Sequence, residues 1–439
     1  MNPAIALACV CLIALPLASA EVAAVYYVTP GTPTGGEDGS KANPFHSIQH
    51  AVTAAGSTAA TVRVAGGEYT EAITISPGIQ LYGGYDRADW KRKSSQVSIV
   101  HQTGSGVDFS GASGDEYPPM AVLDRFEIRG DPEVEDAPVD IGSPLGHSTV
   151  RATVRDCTIY PSKAPLNPSR DSQAIYGRLC NVKLLSNKIL ARDGFMERGE
   201  AVALYSASGE IRGNQILRFA SPLFISYPGD GSLSVSRNTL LGLGGISISN
   251  GASPSIVDNS VKLEQYSGGC SYVIHNDASV AASHPVIRGN RFFIGWQGRG
   301  ICEYGDEADP AELTKNRYYM GSEATYVYWD YDSSADGKIY DIDDLNNLSD
   351  IPKIGGNTLA RCYSITGIVD DAPEDTVVRI TGSGRTESIP ADARGYYQFM
   401  NLLPGAYVVT PVSSQGEFIP SSAKVQIGKK DIVFNFISK

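Results

Sequence analysis

Charge is sparse in this chain, and positive charge most of all. Only 19% of its 439 residues are Asp, Glu, Lys or Arg, and 48 acidic against 36 basic side chains leave a net charge of −12. That deficit argues against nucleic acid or an anionic membrane as a partner. From Arg361 to Lys439 the charges balance, so the acidic excess lies upstream. No run of ~18 apolar residues follows residue 20, so no membrane-spanning helix is expected there. Nor does any Cys-x-x-Cys follow residue 20, which counts against a thiolate zinc site. No glycine-rich phosphate loop stands between a strand and a helix, so nucleotide binding is unsupported.

Glycine (46) and tyrosine (23) are plentiful, and one short pattern recurs. An apolar residue, then an Asn three positions on, then an apolar residue two further, reads Leu184…Asn187…Ile189, Ile211…Asn214…Ile216 and Val235…Asn238…Leu240. It continues as Ile256…Asn259…Val261, Ile287…Asn290…Phe292 and Leu313…Asn316…Tyr318. Asp124 and Asp156 are taken as upstream members of the same column. Units this short cannot bury an apolar face alone, so neighbours must stack around one core. Intervals of 27, 24, 21, 31 and 26 residues between successive Asn suit strands of constant length joined by variable loops. Stacked at ~4.8 Å, the amides can hydrogen-bond from coil to coil. The expected fold is all-β: a right-handed parallel β-helix of about eleven coils.

Residues 1–20 end their apolar run in Ala18-Ser19-Ala20, the small-residue pattern of a signal-peptidase site, so an exported protein is expected, at a cell surface, secreted or periplasmic. Asn43-Pro44 predicts a helix start, with Phe45, Ile48, Val52 and Ala55 on one face. That short helix would cover the open end of the solenoid. Residues 21–360 are assigned to the β-helix. Residues 361–439, with short alternating strands and turn signals, are assigned to a seven-stranded β-sandwich. Cys270 lies 11 residues after Asn259 and Cys302 lies 12 after Asn290; that near-equivalence predicts a disulfide between adjacent coils.

Asn43-Pro44-Phe45, Val64-Ala65-Gly66-Gly67-Glu68-Tyr69 and Leu81-Tyr82-Gly83-Gly84-Tyr85 resemble the opening of exported right-handed parallel β-helix proteins of the pectin-lyase-like superfamily, in a group of unknown function. Gly395-Tyr396-Tyr397-Gln398-Phe399, with Pro404-Gly405 beyond, resembles carboxypeptidase-regulatory and collagen-adhesin-B-like sandwich modules. The resemblance implies fold rather than chemistry, since this fold hosts lyases, hydrolases, epimerases, esterases and binding proteins. The catalytic motifs of polygalacturonases, pectate lyases and pectin methylesterases are missing. Gly106-Val107-Asp108-Phe109 echoes one methylesterase segment in isolation.

Two local clusters could carry chemistry. Asp193, Glu197 and Arg198 crowd the connection between two Asn turns, and paired acids beside arginine suit acid–base work; a solvated loop of mutually paired charges is the plainer reading. His275-Asn276-Asp277 offers a base without an identifiable partner. His46 and His50 share a helical spacing but lack the Glu of a zinc-protease motif. Asp332, Ser334, Asp336 and Asp343 occupy positions 1, 3, 5 and 12 of a loop with Gly337 at 6, which resembles a calcium loop of the dockerin or EF-hand kind. A plain acidic turn is its alternative. No motif requires a cofactor, so calcium is the one candidate.

The expectation is a non-catalytic surface or matrix protein binding a polysaccharide or another cell-surface component. Its alternatives are an enzyme acting on uronic-acid polymers and a structural spacer. An acid–arginine cluster on one wall would favour the enzyme, and an aromatic row without one would favour binding.

Overall fold

The computed structural model describes all residues but 1–22, 33–34, 57, 110–118, 135, 143–149, 163–172, 193–196, 230, 265–270, 296–297, 306, 322–325, 332–337 and 350. Parallel strands wind into a β-helix with three faces. Face A is a 12-stranded sheet from Ala24–Val28 to Ile354–Gly355. A 21-stranded sheet supplies faces B and C, which share the long strand Gln215–Ser226.

The apolar frame of the repeat explains the winding. On face A, Val62, Leu81, Leu123, Val154, Leu184 and Ile211 stand in register and are fully buried. On face B, Ile159, Ile189, Ile216, Leu240, Val261, Phe292 and Tyr318 form the matching inward row. Each such side chain contributes roughly 1.5–3 kcal/mol on burial. The chain turns from A to B in two residues. The first is left-handed, with φ between 56° and 70° at Ser186, Gly213, Arg237, Asp258, Gly289 and Lys315, and the second is the Asn.

That Asn amide is saturated. Asn214 Nδ2 donates to Asn238 Oδ1 at 2.9 Å and to the Leu184 carbonyl at 2.8 Å. Its Oδ1 accepts from Asn187 N and Nδ2 at 2.9 and 3.0 Å. The same four-way pattern recurs through Asn238, Asn259, Asn290 and Asn316. The column then reaches Asn357 and ends on Asn346, which follows the helix Ile342–Leu345. Asn357 carries the same frame, Ile354 before and Leu359 after. A 41-residue interval holding the hairpin of Tyr326–Tyr331 and Lys338–Tyr340 separates it from Asn316 and hides the match.

Two upstream assignments change. Asp124 aligns with Arg155 on face A, not with the amides, and Asp156 takes the left-handed position (φ 54°). The column positions of those coils hold Phe126 and Cys157, and Cys157 N donates to Asn187 Oδ1 at 3.0 Å. The apolar pairs Leu123/Ile128 and Val154/Ile159 bracket these residues, which is the frame the two aspartates do not satisfy.

The helix Ile48–Ala55 covers the first coil with Ile48, Ala51, Val52 and Ala55 buried. Its N-cap is Ser47 rather than Asn43. The Glu71 carboxylate from the next turn accepts from Ile48 N and Gln49 N at 2.9 Å and from Ser47 Oγ at 2.7 Å. Beyond Arg361 the chain forms a sheet of five strands facing one of four. Ile365, Phe399 and Phe436 from one and Ile380, Val409 and Ile427 from the other share a second core. Nine strands pair here where seven are expected, short pieces such as Phe418–Ile419 included.

Candidate functional site

Face C gathers the chemistry that the repeat does not consume. Outward positions fall in register from coil to coil, giving the row Asp108, Asp140, Tyr176, Ala203, Phe224, Ser247, His275, Cys302 and Trp329. A second row runs Arg178, Tyr205, Ser226, Ser249, Asp277, Tyr304 and Tyr331. A third, shorter one is Tyr272, Arg299 and Tyr326.

Rings therefore meet in two blocks. Tyr176, Tyr205 and Phe224 contact in sequence, with centroids 5.5 Å apart at each step. Toward the C-terminal coils Tyr304 and Tyr331 stack at 5.1 Å, and Trp329 meets both Tyr331 (5.5 Å) and Tyr326 (5.7 Å) edge-on. The Arg299 guanidinium lies 4.9 Å from the Trp329 ring, 5.1 Å from Tyr326 and 5.2 Å from Tyr272, and its Nη1 donates to Tyr272 Oη at 2.7 Å. His275 stacks on Tyr272 at 5.4 Å. Burial lowers the imidazole pKa against the opposing pull of Asp277, so His275 is a neutral, base-competent ring at pH ~7.

The other end of face C is acidic. Asp108 and Asp140 are register neighbours in successive coils. Burial, with Asp108 and Asp136 nearby, pushes the Asp140 carboxyl up to about 6; burial also raises Asp108.

An acid–arginine cluster does occur, on face A. Asp124 is 1% exposed and held by Arg92 at 3.0 Å and by Arg155 at 2.6 Å. Arg92 lies over Tyr82 and Tyr85, and Arg63 over Tyr27 and Tyr85. With its carboxylate clamped on both sides and covered, Asp124 stiffens the early coils and has no face toward a substrate.

The predicted sites fall as follows. Asp193 lies outside the described residues, and Glu197 and Arg198 open the strand Glu197–Tyr205 on face C. Arg192, just before, lines a cleft of about 370 Å³ with His101, Arg129 and Tyr160 on face B. Asp332, Ser334 and Asp336 also lie outside the described residues. Asp343 sits in the first turn of the helix Ile342–Leu345, where the Asp341 side chain accepts from Asp343 N and Asp344 N at 2.8 and 2.9 Å. Among the described residues no group of three or more His, Cys, Asp or Glu side chains is placed to hold a metal. His46 Nδ1 is engaged 3.1 Å from the Thr29 carbonyl oxygen, and the His50 ring packs against Phe45 at a tilt of 36°.

The disulfide expectation meets a register mismatch. Cys270 is outside the described residues, but Ser271 pairs with Gly298 and His275 with Cys302. Four strand positions, ~13 Å, separate Ser271 from the level of Cys302; the pairing itself falls outside the described residues. Loops of unequal length between Asn and face C broke the assumed equivalence. The face C rows were missed for the same reason: their signal, alternating Tyr, His, Arg and Trp in strands after each Asn turn, becomes visible only once the coils are aligned.

No family model matches this chain, and no curated protein matches it. Among solved structures it is similar to the periplasmic alginate epimerase AlgG (TM-score 0.35). A single and a double mutant of AlgG give TM-scores of 0.34 and 0.28. All three are 12% identical, with 71% of this chain and 71% of that chain covered. Among the described residues no helix is long and apolar enough to cross a membrane.

Proposed function

We propose that this is an exported, non-catalytic protein that binds a polysaccharide, or the glycan of another cell-surface component, along face C. The observation that carries the reading is the C-terminal aromatic block, in which Tyr272, Tyr326 and Trp329 surround Arg299. Rigid rings offer large apolar faces to sugar rings at small entropy cost, and Arg299 adds a cation for an acidic unit. The test is a panel of neutral and uronate-containing oligosaccharides titrated calorimetrically. Trp329→Ala should weaken the best ligand about tenfold, ~1.4 kcal/mol, with an unchanged melting temperature. Equal affinity in the variant would refute the face C assignment.

A second reading has one observation in its favour: His275 is a neutral imidazole stacked on Tyr272, the ring that Arg299 also meets. Such a trio can hold a uronate carboxylate on arginine while histidine removes the adjacent carbon-bound proton. The same panel, read by unsaturated-product absorbance, reducing ends and proton exchange, separates the two. Turnover abolished by His275→Gln would replace the binding reading, and turnover lost instead in Asp193→Asn or Glu197→Gln would move the chemistry to the 191–200 connection.

A further inference from the structure

A second cleft, of about 500 Å³, lies on face B beneath the C-terminal sandwich. This is a common size for a small-ligand site, and a junction between two modules is a common place for one. Its floor is a register column, Leu217, Leu241, Lys262, Phe293 and Tyr319. Four of these are apolar, and the Phe293 and Tyr319 rings are stacked 4.5 Å apart at 7°. Thr239, Ser260 and Arg291 form the adjoining column, and the hairpin tip bearing Arg385 and Glu387 closes over them.

Lys262 interrupts the apolar column. Its ammonium is 3.9 Å from Glu387, close enough for attraction but too far for a hydrogen bond. Glu387 is bonded instead to Arg385. A flexible ammonium with three donors, half-buried among rings and leucines, is left facing the space between the two modules. The lining carries three basic side chains, Lys262, Arg291 and Arg385, against one acid, Glu387, in a protein whose net charge is −12. Glu264 borders the group, its carboxyl pKa raised by burial against the pull of Arg218 and Lys262.

We propose that this cleft binds one acidic sugar unit, its ring against the Phe293–Tyr319 pair, its carboxylate on Lys262 and its hydroxyls on Thr239 and Ser260. A neutral hexose would leave the Lys262 charge unanswered, and a purely apolar ligand would leave both the ammonium and the hydroxyls unanswered. The site is separate from face C, so either assignment can fail without the other.

Calorimetry on the full chain tests it, with glucuronate, galacturonate, a uronate tetramer and glucose as probes. The uronates should bind and glucose should not. Lys262→Met should lower uronate affinity at least about tenfold. Glu387→Gln should raise it severalfold by removing the competing carboxylate, an effect no merely structural role would give. A loss caused by Trp329→Ala would report face C, whereas a loss caused by Lys262→Met or a gain caused by Glu387→Gln reports this cleft. Tetramer binding tighter than monomer assigns a chain end, and equal binding assigns the free sugar. Uronate and glucose binding alike, or a Glu387→Gln variant that binds no tighter, would overturn the proposal, as would failure of all uronates to bind.

Discussion

Asp140 shows what a single side chain costs a stacked sheet. It is placed by register directly beside Asp108, and its carboxyl takes up a proton at about 6 in the fold against an ordinary 3.8. Between those values the native state holds more protons than the unfolded chain, so stability falls as pH rises through that window, and the penalty is fully present above it. Asp140→Asn should therefore raise the melting temperature at about pH 7.5 and change it little at about pH 4. An equal gain at both values would mean that the carboxylate charge is not the cause. A pair of like charges kept at one end of face C also repels acidic sugars there, which confines the proposed uronate contact to the Arg299 end.

The recurring element is the two-residue corner between faces A and B. A left-handed residue costs roughly 1–2 kcal/mol where it is not glycine, and the buried amide that follows offsets this through four hydrogen bonds. Asn238→Ala would take the side-chain partner from Asn214 N and the Ile211 carbonyl, and one of two bonds each from Asn214 Nδ2 and Asn259 Oδ1. Buried groups left unpaired cost about 1–3 kcal/mol each before relaxation, so a loss of at least about 2 kcal/mol in urea unfolding is expected. A loss below ~1 kcal/mol would show that water or a rotated neighbour replaces the amide. This column was legible in the sequence from Asn187 to Asn316 because the amide and its apolar neighbours repeat at fixed offsets. Asp124 and Asp156 misled because an acid was accepted in place of the amide without its apolar frame.

For the whole molecule, stacking turns a one-dimensional repeat into surfaces. Residues such as Tyr272, Arg299 and Trp329, successively 27 and 30 positions apart in sequence, become neighbours because coil follows coil. The calcium proposal also belongs to this scale, since the candidate ligands run from the connection between the hairpin strands Tyr326–Tyr331 and Lys338–Tyr340 to the helix Ile342–Leu345, beside the end of the amide column. If Asp332, Ser334, Asp336 and Asp343 hold calcium, chelation should lower the melting temperature, because a ligand bound only by the folded state stabilises it. Asp336→Ala should abolish that response, and identical melting in chelator and in millimolar calcium would leave the acidic turn.

By itself the sequence determined the winding: apolar residues three before and two after each Asn specify which side chains enter the core and where the chain turns, and both follow from contacts within one coil and its immediate neighbours. Only the tertiary structure decided what lies beside what on the outside. The offset between a corner and the outward rows of face C depends on every intervening loop length, and so does the position of Cys302 opposite His275. The cleft over Lys262 depends further on where a separately cored sandwich comes to rest, which no periodicity encodes.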